Sequence, residues 1–186
     1  MLNHKVLVII DAQNDFITGA LANKEAQAAV PNIVKLIEKN EWSAIFTTQD
    51  THDKNYLNTK EGEKLPVPHC IWGTMGHRIE ESIWVALDEA VDGNIKVVHS
   101  SKSTFGSRVL ADLIAETIAF YPGDTLDITV CGFCTDICVV SNVLNLKMEF
   151  AHTADINVVA NACAGVTPES HEAALTVMKS CQINII

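Results

Sequence analysis

Three cysteines lie within eight residues, where a predicted strand meets a predicted helix. Cys131, Cys134 and Cys138 follow or end an apolar run, and Thr135 and Asp136 are residue types that begin helices. Cys138 would therefore lie in the first turn of the helix, where unpaired N–H groups and the helix dipole stabilise a thiolate. The same N–H groups can bind an oxyanion. This pattern predicts a cysteine nucleophile with an oxyanion hole in one turn.

The spacing of these thiols also allows a metal-cluster interpretation. We disfavour it because no fourth ligand lies at an obvious spacing and because Cys131 ends a strand that should point into the core. With Cys70, Cys163 and Cys181, the chain has six cysteines and no recognisable signal peptide. That usage is typical of a reducing compartment, so we expect a cytoplasmic protein without a disulfide framework.

An aspartate and two histidines stand at the two ends of one long loop. Asp50 and His52 follow a predicted strand, and His69 comes directly after the loop 53–68. Either histidine alone would be interpreted as a solvated loop residue, but long loops in compact domains usually carry function. Three protein ligands leave coordination positions open to water or substrate, as in catalytic metal sites. We therefore predict one divalent metal ion, with zinc first and manganese or iron as alternatives.

An acid and an amine stand at the ends of two further strands. Asp11 follows the apolar strand 5–10, and Lys102 follows the strand 95–99. Alone, Asp11 could cap a turn and Lys102 could be a surface lysine. Parallel α/β sheets bind ligands at the carboxyl ends of their strands, where Asp50 and the turn 132–138 also fall. Cysteine, carboxylate and amine in one crevice indicate thiol-dependent acyl transfer.

Predicted strands and helices alternate along the whole chain. The strands are placed at 5–10, 44–48, 95–99, 126–131, 156–160 and 182–186. The helices are placed at 26–40, 77–90, 109–120, from 135 onward and at 167–180, with a turn at 121–124. The alternation predicts a single α/β domain over residues 1–186. Its fold would be doubly wound, with a mostly parallel six-stranded sheet and helices on both faces.

Composition narrows the class of partner. The formal charge is −10, from 13 basic against 23 acidic residues, and no basic run occurs. Nucleic acid and anionic membranes are therefore not expected as partners. No segment approaches the length that crosses a bilayer. We expect a globular protein that acts on a small molecule.

Five motifs in order resemble the isochorismatase-like cysteine hydrolases, most closely their nicotinamidase/pyrazinamidase group. They are D-x-Q-x-D-F at 11–16, T-Q-D-x-H at 48–52, P-H-C-x-x-G-T-x-G at 68–76, Lys102, and T-D-x-C-V at 135–139. The resemblance spans nearly the whole chain and implies a Rossmann-type fold. It also implies hydrolysis of nicotinamide to nicotinate and ammonia through a cysteine thioester.

The resemblance implies a role for each candidate residue. Asp11, Lys102 and Cys138 match the catalytic triad of the family, and the N–H groups of Cys134 and Cys138 match its oxyanion hole. The Phe133–Cys134 bond falls where the family has a non-proline cis peptide. The metal ligands of the family are matched by Asp50, His52 and His69.

The substrate pocket implied by the resemblance comprises Phe16, Leu65, Phe105 and Phe133. Two departures concern this pocket and not the chemistry. Pro66 stands where nicotinamidases commonly carry an aromatic residue, and 105–108 reads F-G-S-R where the family often has Y-S-A-F.

Two other interpretations stay open beside nicotinamide hydrolysis. The triad could act on a ureido acid or another small amide, or the chain could be a catalytically silent member of the family. The resemblance also implies a homo-oligomer and a place in NAD salvage.

Overall fold

All strand pairs in the sheet run parallel. The computed structural model describes residues 2–118 and 124–186 and orders the strands β3-β2-β1-β4-β5-β6. The strands are β1 (Asn3–Ile10), β2 (Ala44–Asp50), β3 (Lys96–Lys102), β4 (Thr125–Phe133), β5 (Ala154–Ala164) and β6 (Asn184–Ile185). The predicted six-stranded α/β fold is confirmed. The order reverses between β1 and β4, and sheets of this kind bind ligands at that point.

The helices form two packed groups. They are α1 (Asn14–Ile17), α2 (Lys24–Glu38), α3 (Glu81–Asp92), α4 (Leu110–Thr117), α5 (Val140–Glu149) and α6 (Pro168–Ser180), with a 3₁₀ turn at Tyr56–Asn58 and a π turn at Thr135–Val139. α2 packs on α3, whereas α5 packs on both α4 and α6. Because crossovers between parallel strands are almost always right-handed, the connections on either side of the switch point put the two groups on opposite faces.

The centre of the sheet is the most deeply buried part of the fold. Residues 6–10 of β1 are all at most 1% exposed. β1 pairs with β4 along its whole length, from Asn3↔Thr125 to Ile10↔Gly132. Strands buried on both faces are continuous apolar runs rather than alternating ones, which explains why β1 was predictable.

Helix starts follow local capping chemistry. The side chain of Asn23 accepts the N–H of Ala26 and begins α2. Thr167 and Ser170 form a reciprocal capping box, and Pro168 is the first residue of α6, as the sequence predicts. Among the helices of the described ranges, none is long and apolar enough to cross a bilayer.

Several element boundaries differ from the predictions. β2 and β3 extend to Asp50 and Lys102, which pair with each other, so Lys102 ends a strand rather than lying in a loop. The polar residues Ser100 and Ser101 hide this extension from a hydrophobic pattern. The helix predicted from 77 begins only at Glu81, and α1 was not predicted. The predicted helix end at 119–120 and the turn residues 121–123 lie outside the described residues.

Candidate active site

Asp11 lies directly after β1 and is completely buried. Its backbone takes a positive φ of 48° and donates its N–H to the carbonyl of Thr48 at 3.1 Å. Its Oδ1 accepts a hydrogen bond from Thr48 Oγ1 at 2.7 Å. The carboxylate is therefore held against β2 in one orientation.

Lys102 joins Asp11 to the cysteine turn. Its Nζ lies 2.6 Å from Asp11 Oδ2 and donates to Cys138 Sγ at 3.5 Å. The same Nζ lies 3.8 Å from Asp50 Oδ1. Burial alone would lower the pKa of Lys102, but the Asp11 carboxylate, the Cys138 sulfur and Asp50 together raise it above its ordinary value. These contacts favour the charged form of Lys102.

The second carboxylate oxygen of Asp11, Oδ2, faces the Lys102 ammonium and the Cys138 sulfur. Burial raises the pKa of Asp11, an effect that the nearby Lys102 ammonium partly offsets. Apart from its ion contact with Lys102, Oδ2 accepts no well-directed hydrogen bond from residues 2–118 or 124–186. That oxygen can accept a proton.

Cys138 lies in a π turn rather than at the start of a regular α-helix. The carbonyl of Cys134 accepts the N–H of Ile137 at 3.1 Å and of Val139 at 3.0 Å. In an α-helix this oxygen would take the N–H of Cys138. The π turn therefore releases that N–H from Cys134, and π turns inside helices are frequent at functional sites.

Burial of Cys138 opposes the thiolate that the helix start would stabilise. Cys138 is 5% exposed, and burial raises the pKa of its thiol well above the ordinary value, helped by the neighbouring Asp11 carboxylate. Lys102 lowers this pKa, but burial outweighs it. The Cys138 sulfur thus lies beside a carboxylate that can take the proton of its thiol.

The residue before this turn presents a further backbone donor. The Phe133–Cys134 peptide bond is cis, as the resemblance implies. No group in the described part of the chain accepts the N–H of Cys134. Gly132 makes the bend possible, because its φ is +120° and a Cβ there would collide with the carbonyl of Ile10.

The predicted metal-ligand trio is brought together. Ligand atoms of Asp50, His52 and His69 all lie within 4.8 Å of one another, and all three residues are buried. Asp50 Oδ2 lies 2.9 Å from His52 Nε2 and 3.4 Å from His69 Nε2. The carbonyl of Val67 accepts from His69 Nδ1 at 2.9 Å, which leaves the Nε2 lone pair of His69 free for a metal.

Two residues that support this trio were not predicted. Gln13 donates to the carbonyl of Asp50 at 2.9 Å and accepts the N–H of Asp50 at 2.7 Å. Glu61 Oε1 lies 3.7 Å from His52 Nε2 and 3.9 Å from His69 Nε2, so it can supply a further oxygen ligand. Within the charged stretch 60–64, Glu61 carries no sequence signal that separates it from solvated neighbours.

A cavity of about 770 Å³ opens onto both groups. Its walls include the predicted pocket residues Phe16, Leu65 and Phe105, together with Asp50, His69, Cys134 and Cys138. Phe133 does not line it, because β4 continues through residue 133 and buries that ring completely in the core. A second cavity of about 810 Å³, beside Trp84 and Met75, contains none of the predicted site residues.

Known proteins are similar to this chain over nearly its whole length. A family model described as the isochorismatase domain matches residues 5–186. The nicotinamidase of Schizosaccharomyces pombe is 27% identical, over 98% of this chain and 93% of its own length. A probable inactive nicotinamidase of Arabidopsis thaliana is 25% identical, over 94% of this chain and 87% of that protein. The crystal structure of the nicotinamidase/pyrazinamidase of Bacillus subtilis superposes with a TM-score of 0.78 at 26% identity, and 98% of each chain is covered.

Proposed function

The chain belongs to the isochorismatase family, and from that premise we propose that it is a metal-dependent cysteine amidohydrolase that converts nicotinamide to nicotinate and ammonia. The observation that carries this proposal is the buried contact of Lys102 with both Asp11 and Cys138, next to the Asp50–His52–His69 group. The similarity to proteins named nicotinamidase supports the choice of amide.

The first half of the reaction begins with a proton transfer. Asp11 takes the proton of the Cys138 thiol, and the sulfur attacks the carboxamide carbon. The carbonyl oxygen becomes an oxyanion that accepts the N–H groups of Cys134 and Cys138. When the intermediate collapses, the C–N bond breaks and Asp11 returns its proton to the departing ammonia. A thioester on Cys138 remains.

The second half uses the same groups with water as nucleophile. Asp11 removes a proton from the water as its oxygen attacks the thioester carbon. The C–S bond then breaks, the acid leaves, and the proton on Asp11 returns to the Cys138 sulfur. Lys102 stays charged in both halves, so it stabilises the sulfur anion whenever the proton lies on Asp11.

The donor set fits a resident divalent metal. One carboxylate and two imidazoles, with Glu61 beside them, suit zinc, manganese or iron. Asp50, His52 and His69 would hold the ion, which when bound supplies a Lewis-acidic attachment point for a ring nitrogen of the substrate. The residues of the chain that orient the ring are Phe16, whose ring meets His69 edge-on at 5.8 Å, and the Leu65 and Phe105 walls.

A different small amide or a ureido acid is the second candidate substrate. The observation that favours it is the aliphatic wall at Leu65–Pro66, where nicotinamidases commonly carry an aromatic ring. A looser wall would weaken the binding of nicotinamide and leave the triad unchanged. A catalytically silent protein is the third possibility, because one relative bears the name of a probable inactive nicotinamidase.

An ammonia-release assay separates these candidates. Nicotinamide, pyrazinamide, benzamide and a ureido acid are each offered to the metal-loaded protein, with Cys138→Ala as the blank. We expect turnover of the first two amides only. Turnover of the ureido acid alone would select the second candidate, and no turnover of any amide would select the silent protein.

The biological setting is proposed with the function. Conversion of nicotinamide to nicotinate would place the protein in NAD salvage in the cytoplasm, as a single domain over residues 1–186 that assembles into a homo-oligomer. Light scattering coupled to size exclusion tests the last point, since a monomer would refute it.

A further inference from the structure

Asn142 is a buried amide whose oxygen and both N–H donors are hydrogen-bonded. It lies in α5, one turn after Cys138, and is 1% exposed. Its Oδ1 accepts the backbone N–H of Ser107 at 2.8 Å. Its Nδ2 donates to the carbonyls of Cys138 at 2.8 Å and of Phe105 at 3.1 Å. Since Asn offers two N–H donors and one carbonyl, only this orientation satisfies all three partners.

These partners belong to two segments that the proposed reaction uses. Cys138 is the proposed nucleophile, and Phe105 lines the cavity from the loop 103–107. The loop begins directly after Lys102, whose position is fixed by the sheet. The loop also approaches α5 at Gly106, where a Cβ would lie 2.7 Å from a side-chain nitrogen of the helix. Beyond the lysine, this loop depends on α5 for its position.

We infer that Asn142 is a positioning residue that sets substrate selectivity by holding the Phe105 wall at a fixed distance from the Cys138 nucleophile. It acts through the backbone of both residues. A buried amide with hydrogen bonds to all three backbone groups favours one arrangement, so the Phe105 wall and the Cys138 nucleophile are held together. The ligand class it selects is a planar ring carboxamide, which packs on the wall while its amide meets the sulfur. The inference rests on the proposed amidohydrolase function and adds the element that sets the width of its pocket.

A double-mutant cycle between Asn142→Ala and Phe105→Ala tests the link to the wall. In the wild-type background, Asn142→Ala should raise KM for nicotinamide by about tenfold and change kcat by less than about threefold, because ground-state ring contacts are lost and the chemistry is retained. In the Phe105→Ala background, the same substitution should change KM by less than about twofold, since the wall is already absent. An equal effect in both backgrounds would overturn the inference.

Asn157→Ala is the matched control. Asn157 also donates from its amide, to Asp127 Oδ1 at 2.6 Å, but near the amino end of β5 and away from the cavity. It should leave KM unchanged. Should Asn142→Ala fail to fold, Asn142→Asp keeps the shape and the acceptor for Ser107 and removes the amide donors. KM should again rise more than kcat falls.

Amide hydrogen exchange tests the anchoring without reference to turnover. Peptides that cover residues 103–109 should exchange at least about tenfold faster in Asn142→Ala than in the wild type, and no faster in Asn157→Ala. If the wild-type protein releases ammonia from no amide, the proposed function fails and this exchange measurement alone decides the inference. Unchanged exchange in the loop would refute the positioning role whatever the substrate is.

Discussion

Asp50 and Lys102 are directly paired residues at the carboxyl ends of β2 and β3, and Lys102 Nζ lies 3.8 Å from Asp50 Oδ1. This residue pair therefore connects the predicted metal ligands, through Asp50, to the proposed triad, through Lys102. A single ammonium separates the carboxylates of Asp11 and Asp50, both of which are buried. The charge balance of both groups depends on this lysine.

Lys102→Met keeps the length of the side chain and removes its charge. We expect kcat to fall by about two orders of magnitude or more, the scale seen when one electrostatic contact to the transition state is lost. The metal content, measured by mass spectrometry, should not fall, because the ligand atoms of Asp50, His52 and His69 are intact and a nearby positive charge is removed. A variant with near wild-type turnover would show that Lys102 is not catalytic.

Cys138→Ala should abolish turnover, whereas Cys134→Ala should keep a substantial part of it, because in the proposed mechanism Cys134 contributes its backbone N–H and not its thiol. Inactivation by iodoacetamide provides the second measurement. Cys181 is exposed and should be alkylated first without loss of activity, so Cys181→Ala is the background for the experiment. In that background, loss of activity should track modification of Cys138. Full activity after complete alkylation of Cys138 would exclude it as the nucleophile.

The acid limb of the pH–rate profile should report the ionisation of the Asp11 carboxyl group. Catalysis needs its carboxylate deprotonated, and burial raises its pKa above the ordinary 3.8, so kcat/KM should fall on acidification with a midpoint above that value. The hydrogen bond from Thr48 lowers the pKa of Asp11, so Thr48→Val should move the limb to higher pH. Thr47→Val is the control, because Thr47 Oγ1 is hydrogen-bonded to His99 instead. A shift of the limb to lower pH in Thr48→Val would contradict the assignment.

Asp11→Asn should lower kcat by about two to four orders of magnitude, since it keeps the shape and removes the base. Steady-state ammonia release at the pH optimum measures this effect. The variant should still fold, because Thr48 can donate to the amide oxygen as it does to the carboxylate. Retention of most of the rate would move the general base to another group.

Loss of the metal should affect ring positioning more than the chemistry. His52→Ala or chelation should lower turnover of nicotinamide toward that of benzamide, which has no ring nitrogen. Glu61→Gln should weaken metal affinity by about tenfold or more if its carboxylate supports the ion. Glu63→Gln is its control, since Glu63 pairs with Lys60 in the same loop and contacts neither histidine. Equal rates for both amides in the metal-free protein would point to a metal-independent reaction.

The strand ends could be predicted because buried parallel strands are continuous apolar runs that stop at polar residues or turns. The apolar run of β1 stops at Asp11, and the run of β4 stops close to the cysteine turn. Once the sheet is parallel, such ends meet at one edge whatever the connections between them. This placement brings the proposed triad and metal ligands to one edge, whereas the role proposed for each residue comes from the family resemblance.

The site residues that the sequence did not predict depend on contacts between distant parts of the chain. Glu61 is distinguished from Glu63 only by which of them the loop brings to the histidines. Asn142 resembles any polar residue on a helix until its partners on the loop 103–107 are known. The pKa of Cys138 shows the same dependence, because the helix start is a local feature whereas the desolvation that raises this pKa comes from the whole fold.

The position of Lys102 on β3 affects how the protein would lose its activity on heating. β3 is the outermost strand on its side of the sheet and has β2 as its one ladder neighbour, whereas Asp11 and Cys138 adjoin the central strands β1 and β4. Edge elements open locally at a lower free energy than the centre of a fold. The lysine can therefore leave its partners while the rest of the sheet is still formed. Inactivation by fraying of β3 would precede cooperative unfolding, and re-annealing of the edge on cooling would restore the site.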